Sequence, residues 1–239
     1  MNKPFLFVGL DYEDPGELVY SAFQLNEIDR DNFGFKINLD SVIKRALLGQ
    51  GISHYSRDMN NVFNLGRPIF VDLKMWNGKR TMVSVIKDLA EANVVYTNVY
   101  ALADKPFLEA CVKATEGTNT KILGLTILTH YTDDYCQRMF GCSLKEATRR
   151  FADVVVSAGC HGIILPGTTL DVVQDLQIEK LVPAVRPDWY GKTGDNYQEQ
   201  EVSVREAIAG GANLFVCSSP IRKSKDKKEA LIRTLDEMI

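Results

Sequence analysis

Eight short apolar runs recur along the chain and set its fold class: FLFVGL at 5–10, FGFKINL at 33–39, PIFVDLKM at 68–75, NVVYTNVYAL at 93–102, KILGLTILT at 121–129, HGIILPG at 161–167, KLVPAVRP at 180–187 and ANLFVCSS at 212–219. Most are apolar on both faces that a strand would present, the pattern of a parallel sheet covered by helices rather than of an antiparallel sheet with one wet face. The intervening stretches carry the other period. GKRTMVSVIKDLAEAN, residues 78–93, places Met82, Val85, Ile86 and Leu89 at i, i+3, i+4 and i+7. SLKEATRRFADVVVSAG, residues 143–159, runs similarly to a glycine stop. Strand and helix therefore alternate as βαβ units. Eight units in 239 residues match a (β/α)8 TIM barrel, which needs about 250, better than an open doubly wound sheet. No G-x-G-x-x-G follows the first run, and no linker or composition shift divides residues 1–239, so the chain reads as one domain. The longest irregular stretch, DWYGKTGDNYQEQE at 188–201, follows the seventh run and is a candidate active-site loop.

Composition narrows the surroundings. The five cysteines, Cys111, Cys136, Cys142, Cys160 and Cys217, are an odd number without a C-x-x-C pair, which points to reduced thiols in a cytoplasmic protein and away from a zinc knuckle. The first apolar run is too short for a signal peptide or a membrane span. A formal net charge of −3 argues against a nucleic-acid surface, and the basic KSKDKK at 223–228 reads as a solvated helix start. His54 and His161 lack spaced partners and read as surface or packed residues. Phe5, Phe7, Phe33, Phe35 and Phe70 recur at strand spacing and read as core.

In a barrel of this kind the reacting groups come from the C-terminal strand ends and the loops beyond them. Those ends hold Asp11, Lys36, Asp72 with Lys74, Asn98 with Tyr100, Thr129 with His130, Arg186 and Ser218. Asp72 and Lys74 are two residues apart, so their side chains leave one face of the third strand, with Lys36 beside them on the second. An alternating Lys–Asp–Lys array in a half-dry mouth is costly unless each charge neutralises the next. Such an array could hold a carboxylate, stabilise a carbanion and deliver a proton from lysine. An ion-pair network that merely closes the barrel is the alternative. Trp76 and Tyr100 are candidate dimer contacts, and His130 is open between pocket and packing.

The D-L-K after an apolar strand resembles the orotidine 5'-phosphate decarboxylase family. So do L-D-Y on the first strand, F-K-I-N-L on the second, L-T-I-L-T on the fifth, V-P-A-V-R-P on the seventh and S-P-I after the eighth. The likeness spans nearly the whole chain. It implies a homodimeric barrel that converts orotidine 5'-phosphate to uridine 5'-phosphate in pyrimidine nucleotide biosynthesis, without metal or organic cofactor. It also implies roles: Asp72 crowds the departing carboxylate, Lys74 stabilises and protonates the carbanion, Lys36 holds Asp72 and the ribose, and Asp11 binds ribose hydroxyls. Thr81 would reach the partner's ribose site, with Thr129, His130 and Arg186 around the substrate.

The departures from the family pattern fall in two places. The family's D-x-K-x-x-D ends here in Asn77, which removes a carboxylate from the partner's array; Tyr100 stands for a His and His130 for a Ser. At the phosphate grip, RPDWYG puts Asp188 in place of an amide, and SSPI puts Ser219 in place of an arginine, with Arg222 and Lys192 as candidate substitutes. An anion beside phosphate repels it, and a lost bidentate Arg removes a strong contact. Three readings stay open: a working decarboxylase with a remodelled phosphate site, a relative acting on a different or unphosphorylated nucleoside or sugar acid, and a non-catalytic nucleotide-binding protein. Lys36 speaks against the metal-dependent sister branch, which carries an acidic residue on that strand.

Overall fold

The computed structural model describes residues 3–41, 61–190 and 200–239; His54 and Lys192 lie outside them. Eight strands, β1 (Phe5–Gly9), β2 (Phe33–Asn38), β3 (Ile69–Met75), β4 (Tyr96–Tyr100), β5 (Lys121–Leu125), β6 (Gly162–Ile164), β7 (Glu179–Val182) and β8 (Leu214–Cys217), pair in sequence order, and β8 returns to β1 to close the barrel. All the pairings are parallel. The eight runs of the sequence are thus the eight staves of a (β/α)8 barrel. Helices α1 (Pro15–Asn26), α2 (Lys79–Glu91), α3 (Lys105–Lys113), α4 (Asp133–Phe140), α5 (Leu144–Ser157) and α6 (Val204–Ala209) lie between strands, and α7 (Ser219–Arg222) and α8 (Lys227–Asp236) follow β8.

Local chemistry starts these helices where the pattern changes. The Asp14 carboxylate accepts from the Gly16 and Glu17 amides, with Pro15 opening α1. Ser203 and Glu206 form a reciprocal capping box on α6. On α2, Met82 and Ile86 are fully buried, with Val85 and Leu89 packed against the same core. The seventh run ends early as strand: β7 stops at Val182, because Pro183 has no N–H to give to a ladder. Asp226 caps α8, so KSKDKK only enters a helix at Lys227.

Alternation divides the apolar side chains between two cores. Phe7, Phe70, Leu123, Leu125, Ile164, Leu181 and Val216 fill the barrel, with Phe7 edge-on to Phe70 and Tyr96 at 5.6 Å. Phe33 and Phe35 point the other way, into the sheet–helix layer with Leu6, Val8 and Ile122. The N-terminal end of the barrel is shut by polar groups: Tyr96 donates to Glu179 at 2.9 Å and Lys121 donates to its other oxygen at 2.9 Å. Beside them the exposed His161 accepts the Ile122 N–H on Nδ1 at 3.0 Å. All five cysteines are buried and free. Among the described residues no helix is long and apolar enough to cross a membrane.

Close helix–sheet contact also demands a missing side chain. A Cβ on Gly124 of β5 would lie 2.2 Å from Val155 Cγ2 on α5. Gly124→Ala should therefore overpack this layer and cost about 1–3 kcal/mol, read as a lower urea midpoint with an unchanged slope. An unchanged midpoint would show that α5 rides on the sheet more loosely than the contact distances imply.

Candidate active site

The filled barrel stops short of its C-terminal end, where a cavity of about 390 Å³ opens, within the usual range for small-ligand sites. Its floor is charged. Lys36 Nζ donates to Asp11 Oδ1 at 2.9 Å and to Asn38 Oδ1, and stands 3.7 Å from Asp72 Oδ2. Lys74 Nζ donates to that same Asp72 oxygen at 2.6 Å. Asp11, Lys36, Asp72 and Lys74 thus form one alternating chain across β1, β2 and β3. Lys36 is 5 % exposed and Asp72 9 %, whereas the Lys74 side chain is 42 % exposed. The inner two charges are built in, and the outermost faces the cavity.

The strand ends explain the convergence. Lys36 and Asn38 occupy alternate positions of β2 and enter the mouth together. At β3 the chain departs from plain alternation: Val71 pairs with Thr97 but Met75 pairs with Val99, so β3 carries extra residues against β4. This bulge holds Asp72, Leu73 and Lys74, and Lys74 adopts a left-handed backbone with φ 48. Bulges beside sites commonly re-aim side chains, and a residue with a β-carbon holds this conformation only under constraint. Asn98 of β4 supplies the constraint, donating to Asp72 Oδ1 at 2.7 Å and accepting the Lys74 N–H at 2.7 Å.

Burial pushes the carboxyls of Asp72 and Asp11 up, and their partners more than reverse this. Lys36, Lys74 and Asn98 bring Asp72 below its ordinary 3.8. Lys36 and the Ser218 hydroxyl do the same for Asp11. For Lys36, burial works against the charge, and Asp11 and Asp72 overcome it to raise the ammonium above its ordinary 10.5. Lys36 keeps Asp11 and Asp72 ionised, and the two carboxylates keep Lys36 charged.

Of the strand-end residues expected from sequence, Asp11, Lys36, Asp72, Lys74, Thr129, His130, Arg186, Ser218 and Ser219 line the cavity. Arg186 is 6 % exposed and closed onto the Glu201 carboxylate, with Nη2 at 2.6 Å. Asn98 and Asn38 also line it, and sequence reading gave neither a role; the signal available was their spacing of two from Tyr100 and Lys36. Five residues singled out from the sequence, Asn77, Thr81, Tyr100, Asp188 and Arg222, stand outside the lining. Asn77 and Thr81 lie on an exposed run beside Trp76, which is 66 % exposed. Asp188 is exposed, pairing with Arg205 at 3.3 Å while its N–H donates to Glu237 at 3.0 Å. No carboxylate of Asp188 therefore enters the cavity. Arg222, the last residue of α7, places its guanidinium 5.7 Å from the Tyr12 ring. Tyr100 bonds Tyr131 beside the mouth, and burial raises its hydroxyl pKa.

The sequence profile of the "Orotidine 5'-phosphate decarboxylase / HUMPS family" matches residues 4–233. A protein of Methylacidiphilum infernorum named orotidine 5'-phosphate decarboxylase is 26 % identical over 235 residues, spanning 97 % of this chain and 96 % of its own. Among solved structures, orotidine 5'-phosphate decarboxylase of Lactobacillus acidophilus superposes with a TM-score of 0.76 at 20 % identity, covering 99 % of both chains. An uncharacterised conserved protein of Geobacillus kaustophilus superposes with 0.77 at 16 % identity over 98 % of this chain and all of its own. At these identities the two structures speak to the fold.

The shifts fix a pH signature. Asp11 and Asp72 lie below their ordinary value, so their contribution to stability is complete above about pH 4 and is lost as pH falls through the lowered values. Lys36 lies above its own, so its contribution is complete below 10.5 and lost as pH rises past that. Lys36→Met leaves the buried Asp72 and the half-buried Asp11 without their shared cation and should cost about 3–5 kcal/mol near neutrality. The loss should shrink as acid protonates them, measured as urea midpoints between about pH 3 and pH 7. A loss independent of pH would mean that Lys36 acts only through packing.

Proposed function

The chain belongs to the Orotidine 5'-phosphate decarboxylase / HUMPS family, and on that footing we propose that it is a carboxy-lyase acting without metal or organic cofactor. Its substrate on this reading is orotidine 5'-phosphate, and its product uridine 5'-phosphate. The observation that carries the proposal is the unbroken chain Asp11–Lys36–Asp72–Lys74 at the cavity floor. A substrate carboxylate set against Asp72 meets a fixed anion that Lys36 and Asn98 prevent from turning away. Repulsion there raises the bound acid and vanishes as the carboxylate leaves as neutral carbon dioxide, so it favours the transition state. The C–C bond breaks, its electron pair remains on the ring carbon, and the Lys74 ammonium lies close enough to hold that charge and give it a proton. On this reading Asp11, whose side chain keeps 28 % exposure, accepts from ribose hydroxyls, while Lys36 is engaged by Asp11, Asn38 and Asp72.

The exposed run from Trp76 to Thr81 fits a homodimer contact that would carry Asn77 and Thr81 to a second copy. One observation favours a second substrate. Among the described residues the arginine that lines the cavity, Arg186, is committed to Glu201, and Ser219 stands at the start of α7, which leaves a weak grip for a phosphate. An unphosphorylated nucleoside acid fits such a rim.

The test is turnover by the purified protein, with carbon dioxide release measured on orotidine 5'-phosphate and on orotidine. The proposal predicts release from the phosphate ester and a fall in kcat of about 10²–10⁴-fold in Lys74→Ala. Turnover of orotidine with equal or tighter binding would select the second substrate. No release from either acid, or a Lys74→Ala variant as fast as the parent, would overturn the decarboxylase reading.

A further inference from the structure

One buried amide touches both residues that the proposed chemistry uses. Asn98 is 1 % exposed, and its two side-chain contacts end on the Asp72 carboxylate and on the backbone of Lys74, each at 2.7 Å. The partners dictate how the amide faces. A backbone N–H can only donate and an ionised carboxylate only accept, so the oxygen meets Lys74 and the NH₂ meets Asp72. A leucine of the same size would leave both unsatisfied, and a carboxylate could serve only one.

The second contact falls where the sheet fails. Between Val71↔Thr97 and Met75↔Val99 the β3–β4 register shifts, and Lys74 takes its left-handed backbone in that gap. Its N–H is directed to a side chain of β4, which stands in for the carbonyl a regular ladder would offer. The first contact holds one carboxylate oxygen while Lys74 and Lys36 face the other. Asp72 is therefore oriented from its own strand and both neighbouring strands, with Asp11 one step further along the chain.

We propose that Asn98 is a positioning residue, which couples the orientation of the Asp72 carboxylate to the strained backbone that presents Lys74, so that one side chain holds anion and cation in register. The kinetic half of this inference rests on the decarboxylase reading; the structural half does not.

Two variants separate the contacts. Asn98→Asp keeps an oxygen for the Lys74 N–H but sets a second carboxylate against Asp72, whereas Asn98→Ala removes both contacts. In the full chain, carboxyl-carbon NMR should show Asp72 titrating at least about one pH unit higher in Asn98→Asp, because two adjacent carboxylates share a proton. Amide exchange at Lys74 should rise about tenfold or more in Asn98→Ala and stay near the parent rate in Asn98→Asp. On whichever acid is turned over, kcat should fall by about 10²-fold in Asn98→Ala with KM little changed. In Asn98→Asp the acid limb of kcat should move upward in pH. Folded variants in which Asp72 titration and Lys74 exchange both match the parent would overturn the inference. Absence of turnover by the parent would sink the decarboxylase reading while leaving titration and exchange to decide this one.

Discussion

The Asp72 carboxylate stays ionised inside the barrel mouth because Lys74 from its own strand, Lys36 from β2 and Asn98 from β4 all bind it. Buried charges of this kind rarely add stability over an apolar filling, since the cost of removing them from water offsets their mutual attraction. What they contribute is a fixed arrangement. With both oxygens engaged and Lys36 anchored on Asp11, the carboxylate cannot swing to meet an incoming anion on softer terms. On the proposed reading this immobility is the source of catalysis: a preorganised array needs no rearrangement when charge develops.

The barrel is arranged to hold that array in place. Its middle is a dry plug in which Phe7 meets Phe70 and Tyr96 edge-on, and its lower end is closed by Tyr96, Lys121 and Glu179. An apolar stack separates the polar groups of the two ends, and the cavity opens at the C-terminal mouth. The upper rim is built differently. Arg186 and Glu201 join the end of the seventh run to the return from the long loop, and Trp189 is tied to α8 through Thr234. The charged floor is held by adjacent strands and the rim by contacts between loops, so substrate preference can change at the rim without disturbing the floor.

The sequence made the barrel and most of its mouth legible because both depend on short periods. Runs apolar on both faces predict buried parallel strands, and a spacing of two puts Lys36 beside Asn38 and Asp72 beside Lys74 on shared faces. The chain reaches the second of these by a bulge and a positive φ at Lys74, which no period announces. Asn98 was visible at a strand end but its role was not, since that role exists only once β4 lies against the gap in β3. That Asp188 and Arg222 stand outside the cavity lining was hidden for the same reason. Glu237 and Arg205 hold Asp188 at the surface, Tyr12 lies against the Arg222 guanidinium, and all three partners are distant in sequence or unmarked by motif.

The most direct measurement of the central claim is Asp72→Asn, with substrate affinity from calorimetry and kcat from carbon dioxide release. An amide of the same shape removes the repulsion and keeps the space. The account predicts binding of the acid at least as tight as in the parent, together with a kcat lower by about 10²-fold or more. Weaker binding with an unchanged kcat would contradict it, since Asp72 would then serve to hold the substrate and not to drive its carboxylate out.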